Sequence, residues 1–133
     1  MEDLSLSNSI LKPKEYFDQL IQEFPDLLIE DNMGVYFSME DFADYTIKQV
    51  KTSDWNKLKN CFDFQEQRIK FLSPDLENAL NVSYCESLLL GGQVQGKLLK
   101  KTIEYMGPLL RKVYNEYEEY YNNLVKASNE KKA

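Results

Sequence analysis

Ser73-Pro74-Asp75-Leu76-Glu77-Asn78-Ala79-Leu80-Asn81-Val82-Ser83-Tyr84-Cys85-Glu86-Ser87-Leu88-Leu89-Leu90-Gly91-Gly92 carries the clearest structural signal in the chain. It opens with a serine able to cap a helix and a proline suited to the first helical position. Two acids follow on the positive end of the helix dipole. From Ala79 to Leu90 apolar residues occupy several faces, and Glu86 is the charge that interrupts them. A helix apolar on most sides is packed by neighbours on most sides, so this one is expected at the centre of the molecule. Gly91-Gly92 stops it.

Helical periodicity continues on both sides of this segment. Upstream, Pro13 fits a first turn, Tyr16, Phe17, Leu20, Ile21 and Phe24 recur at helical spacing, and Pro25 ends the run. Asn32-Met33-Gly34 is a turn signal. The Val35-Tyr36-Phe37 stretch has the composition of extended chain but is too short for a sheet. Ser38 with Asp41 resembles a capping pair. The helix it opens places Met39, Phe42, Ala43, Thr46, Ile47 and Val50 on one face. Thr52-Ser53-Asp54 offers the next cap. It precedes a stripe of Trp55, Leu58, Phe62, Ile69 and Leu72 that Gln65 interrupts.

Downstream, Lys97–Met106 aligns Leu99, Thr102, Ile103 and Met106, and Gly107-Pro108 must end or kink that helix. The last helix places Leu110, Val113, Tyr114, Tyr117, Tyr121 and Leu124 on one side. The expectation is an all-α, single-domain bundle of five to six helices with short turns. Residues 13–126 form it, 1–12 are a loose lead-in and 127–133 a frayed tail.

The 133 residues suffice for one domain that buries a core without staples. Hydrophobic residues make up 43% and charged residues 29%, a globular rather than disordered balance. The chain has no histidine, and its two cysteines, Cys61 and Cys85, form no C-x-x-C pair. Buried reduced thiols are the expected state for both. No apolar run approaches the roughly 18 residues of a membrane span. The acidic start Met1-Glu2-Asp3 is unlike a secretory signal. A cytoplasmic protein without a membrane contact is expected.

The net charge of −6 is unevenly spread. Residues 1–45 hold 11 acids and 2 bases, residues 46–112 hold 7 acids and 11 bases, and residues 113–133 hold 4 acids and 3 bases. An acidic N-terminal third repels phosphates and argues against nucleic acid as a partner. It favours a protein with a basic surface, drawn in by long-range steering. The competing reading is a solvated surface that keeps the chain soluble.

Gly91-Gly92-Gln93-Val94-Gln95-Gly96-Lys97 matches G-x-x-x-x-G-K, the loop whose N–H groups cradle phosphates. Leu98 stands where Ser or Thr should hold magnesium, and a helix precedes the loop where a strand should. A helix-to-helix linker is the stronger reading, with a nucleotide-binding enzyme as the alternative. Residues 29–40 partly imitate a calcium loop, with Asp31, Gly34 and Glu40 in register. Ile29 and Met33 occupy positions that need oxygen ligands, which rules the site out. No catalytic residue, metal or cofactor is expected.

Adjacent carboxylates such as Glu30-Asp31, Glu40-Asp41 and Glu118-Glu119 point in different directions on a helix and read as solvated surface. The run Tyr114-Asn115-Glu116-Tyr117-Glu118-Glu119-Tyr120-Tyr121 is more informative. Tyr114, Tyr117 and Tyr121 are expected to pack on the core. Tyr120 with Glu116, Glu118 and Glu119 is left as rigid aromatic area in a negative field, suited to an interface. Asp41 and Asp44 are the further candidates for partner contact.

Asn78-Ala79-Leu80-Asn81-Val82-Ser83-Tyr84-Cys85-Glu86-Ser87-Leu88, followed by Tyr105-Met106-Gly107-Pro108-Leu109-Leu110, resembles an uncharacterised bacterial family of small acidic helical proteins. The shared pattern is an apolar helix with serine, an aromatic residue and Glu-x-Leu, then a helix opened by Gly-Pro. It covers the second half of the chain, and Cys85 departs from it where an aliphatic residue is the rule. The resemblance implies an immunity-type protein that neutralises a toxin, and it carries over no catalytic residues. The functional expectation is a non-catalytic, protein-binding helical domain with a basic partner. A subunit that self-associates through its last helix is a further alternative.

Overall fold

The computed structural model describes residues 10–29, 34–91 and 96–132. Among the described residues, six helices form a single domain: α1 (Pro13–Glu23), α2 (Val35–Lys51), α3 (Trp55–Arg68), α4 (residues 74–91), α5 (Gly96–Ile103) and α6 (Pro108–Lys132). The expected all-α bundle is what forms. Among the described residues the extended pairing is one isolated parallel bridge, Leu11 with Leu72. The Leu11 N–H donates to the Phe71 carbonyl and the Ser73 N–H donates to the Leu11 carbonyl. The end of the lead-in is therefore pinned against the start of α4. Residues 1–9 lie outside the described residues.

Local chemistry sets the helix ends. The Ser73 hydroxyl accepts the Leu76 N–H at 3.4 Å and Pro74 takes the first position of α4. Asp54 caps α3 by accepting the Lys57 N–H at 3.1 Å. The start of α2 differs from the sequence reading. Ser38 does not cap it; Gly34 does, with φ of 94°, and Val35, Tyr36 and Phe37 form the first turn. A positive φ is cheap for glycine, so the helix starts one turn early. Ser38 is buried instead.

Helix α4 is central, as its apolar faces require, but it is not a plain α-helix. After Pro74–Ala79 it widens into π-helical turns at Leu80–Cys85 and Ser87–Gly91. The Glu86 N–H accordingly reaches the Asn81 carbonyl five residues back. One contributor is local: the Asn81 side chain donates to the Glu77 carbonyl at 3.2 Å and competes for the acceptor of the i−4 bond. Leu76, Ala79, Leu80, Tyr84, Cys85 and Leu88 are all buried.

Helix α2 packs along α4 and against α3, and α6 packs against α3 and α4. α2 and α6 share no substantial contact, so they occupy opposite corners of the bundle. Rings from α1 to α4 fill the middle: Phe42 lies 5.8 Å from Phe64 and 5.1 Å from Tyr84 between centroids. Gln65 does not break the α3 stripe; it is fully buried and accepts the Tyr16 hydroxyl at 2.7 Å. The Thr46 and Tyr84 hydroxyls pair at 2.8 Å. Buried polar atoms that find one another in this way cost little. Cys61 and Cys85 are buried free thiols, and burial pushes the pKa of each up to about 12.

The junction into α6 is built from a distance. Gly107 has no side chain to cap the helix, so Glu66 of α3 does it. Its two carboxylate oxygens accept the Leu109 and Leu110 N–H groups, each at 2.8 Å. A Cβ on Gly107 would lie 2.5 Å from the Glu66 carboxyl carbon. A side chain at position 107 would therefore displace the Glu66 carboxylate from this approach.

Candidate functional site

Helix α6 holds the first group of candidate residues. Its inner stripe begins as expected, with Leu110, Tyr114 and Tyr117 buried. The Tyr117 hydroxyl donates to Glu86 of α4 at 2.5 Å. Burial first, then this bond, raises the Tyr117 pKa well above that of an ordinary tyrosine. Tyr120 is 59% exposed and leans on Tyr117 at 5.9 Å. Glu116, one turn before Tyr120, and Glu119, one turn after Glu116, are exposed on this side, while Glu118 is half-buried and turned to the other flank. Glu86 adds a fourth carboxylate that sequence reasoning left out, because its neighbour comes from a helix 31 residues away.

From Asn122 to Glu130 every side chain of α6 is exposed. The helix also keeps its form to Lys132, past the point where the sequence reading has it fray. Leu124, expected on the packed side, is 54% exposed, because α6 has run past its neighbours. The outer face of α6 is not uniformly acidic. Arg111 and Lys112 line one shallow depression of about 470 Å³ together with Glu116 and Glu119. One helix walls it, so it encloses nothing.

Asp41 and Asp44 stand at the opposite corner, on α2. Their face also carries Phe37, which is 55% exposed, and Glu40. Positions 37, 40, 41 and 44 follow the i, i+3, i+4, i+7 spacing of a single helical face. The reverse face buries Met39, Phe42, Ala43 and Thr46. Asp44 is exposed, yet its surroundings remove enough water to raise its pKa, and Lys51 offsets part of that rise. Five of the six candidate residues are thus divided between two outward faces, and Glu118 falls outside both. Phe37 was missed because its tripeptide reads as extended chain; once it is helical, its spacing to Asp41 and Asp44 is plain.

Other features are balanced within themselves. A groove of about 430 Å³ between α1 and the start of α2 is apolar at Phe17, Ile21, Ile29 and Val35. The Lys14–Asp18 ion pair, 2.8 Å long, sits among its walls. Trp55 stacks on Tyr105 at 5.4 Å with the Lys101 ammonium 4.3 Å from its ring centre. The phosphate-loop reading fares poorly: the residues leading to Gly91 are helical, not a strand. Residues 92–95 lie outside the described residues. So do Asp31 and Met33 of the calcium-like stretch, while Glu40 is held in α2. Among the described residues no three His, Cys, Asp or Glu side chains are grouped to hold a metal ion. No described helix is long and apolar enough to cross a membrane.

Fold and surface together define a small all-α domain that displays acid-flanked aromatic rings on its outward helix faces. Residues 17–122 match the family described as Domain of unknown function (DUF7674), and the chain belongs to that family. The match ends where the side chains of α6 leave the body. No curated protein and no solved structure matches the chain significantly.

Proposed function

We propose that this protein is a cytoplasmic, non-catalytic binding domain whose partner is a protein with a basic surface. The finer reading is an immunity-type protein of bacterial origin that neutralises a basic toxin. One observation carries the proposal: exposed rings stand among carboxylates on two outward faces, Tyr120 with Glu116 and Glu119, and Phe37 with Glu40, Asp41 and Asp44. Rigid aromatic area anchors interfaces, and surrounding charge of one sign steers and selects the partner. The excess of acids in residues 1–45 adds to that field.

The test is capture of tagged protein from its native host, at low and high salt, with mass spectrometry of what binds. The expected result is one dominant basic protein that high salt releases. Co-expression should then relieve any toxicity of that partner. Capture of nothing specific at either salt concentration would sink the reading. Self-association is the second reading, favoured by the bare distal half of α6 with Tyr120, Leu124 and Val125 exposed. Sedimentation at several concentrations separates the two.

A further inference from the structure

Charge alone does not say which of the two faces binds. Resting on the protein-binding reading, we infer that the outer face of α2 is the docking surface, with the Phe37 ring as its anchor. Its occupant is a partner surface with an apolar pocket for that ring, flanked by Lys or Arg side chains that meet Glu40, Asp41 and Asp44.

Four features favour this face. First, the ring is spare: Phe37 is 55% exposed while the opposite face of the same helix supplies the core. Second, the acids are not placed where the helix dipole would reward them. A helix dipole favours carboxylates in the first turn, and the first turn of α2 has none. Glu40 and Asp44, one turn apart, repel each other. Lys48 and Lys51, by contrast, sit in the last turn, where the dipole favours cations.

Third, the environment of Asp44 already disfavours its charge, with Lys51 in partial compensation. A cation brought by a partner would complete that compensation. Fourth, the other corner is less suited. On α6, Arg111 and Lys112 share the outer face with Glu116 and Glu119, Tyr120 rests on Tyr117, and Glu86 is engaged by the Tyr117 hydroxyl. Phe37 sits in a face whose charge is of one sign until Lys48, a better complement to a basic partner.

Site-specific photo-crosslinking tests the assignment. A benzoylphenylalanine is placed at position 37 in one full-length variant and at position 120 in another. Each is irradiated in the native host, and the crosslinked peptides are sequenced. Docking on α2 gives an adduct from position 37 to a partner segment with Lys or Arg beside the attachment point. Adding Glu40→Lys and Asp44→Lys should lower its yield by about tenfold, while Glu119→Lys leaves it unchanged. These side chains are exposed, so an unaltered melting curve certifies each variant as folded. An adduct at position 120 alone overturns the α2 assignment and leaves the protein-binding reading standing. An adduct at neither position overturns both. A position-37 adduct that both charge reversals leave intact overturns the basic partner.

Discussion

Helices α4 and α6 pack on each other, and the chain treats them in opposite ways. α4 is surrounded: Leu76, Leu80, Tyr84 and Leu88 are buried, and its backbone widens into π-helical turns while serving several neighbours at once. α6 is packed along its first half and bare along its second. It spans about 37 Å at the usual rise per residue, and its side chains from Asn122 to Glu130 all meet water. Within this pair, the packing that holds the fold lies in α4 and in the first half of α6. The distal half of α6 and the outer face of α2 are surfaces the fold does not need, and such surfaces are free to serve a partner.

The severest way to probe this difference is a charge inside α4. Leu80 is fully enclosed, so Leu80→Asp places an unpaired carboxylate among apolar side chains at a cost of several kcal/mol. The expected outcome is loss of the cooperative thermal transition in circular dichroism. A normal melt would show that α4 is not the interior element described above.

The next effect sits at the root of α6. Glu66→Ala removes the carboxylate that holds the Leu109 and Leu110 N–H groups, a loss of about 1–3 kcal/mol. Gly107→Ala should do nearly the same, because its methyl group must push Glu66 aside. The double variant should then cost much less than the two single losses together, since both act on one contact. Denaturant unfolding of all four proteins measures this. Additive losses would mean that Glu66 and Gly107 act separately.

This junction also shows where the sequence is readable. Apolar spacing reveals which residues face inward, so the six helices, the central place of α4 and the exposed Tyr120 were all legible. What escaped depends on residues distant in sequence. Glu66 capping α6, Gln65 bonding Tyr16, and Glu86 bonding Tyr117 each join positions more than thirty residues apart. No local pattern encodes such pairs. The early start of α2 escaped for another reason: Val35 and Tyr36 favour strands, and only the glycine before them turns the chain into a helix. With it went the view of Phe37 beside Asp41 and Asp44.

A smaller effect belongs to the edge between core and surface. Asp26 accepts the Tyr45 hydroxyl at 2.7 Å and the Lys57 ammonium at 3.0 Å. The tyrosine bond first, then the lysine, lowers the Asp26 pKa in the folded state. Tyr45 in turn is raised to about 12, chiefly by burial. A lowered carboxylate pKa stabilises the fold above the ordinary carboxylate value, and the gain fades as pH falls through the lowered one. Asp26 is well exposed, so the gain is a few tenths of a kcal/mol. Wild type should melt slightly above Asp26→Asn at neutral pH, and the gap should begin to close as the pH falls below about 4. A gap that persists in acid would assign the effect to something other than ionised Asp26.

The smallest expected effect bears most directly on the contrast within α6. Leu124 continues the stripe that Leu110, Tyr114 and Tyr117 bury, yet it is 54% exposed. If the distal half is bare in solution, Leu124→Ala removes no packing, and alanine is the better helix former. Stability should then stay within about 0.5 kcal/mol of wild type, as for other surface changes. A loss above about 1 kcal/mol would require that something covers Leu124. Protein concentration identifies it: a loss that grows as the protein is concentrated points to a second copy seated on α6. A loss independent of concentration would instead mean that the chain folds back on its own distal helix, and α6 would then resemble α4 along its whole length.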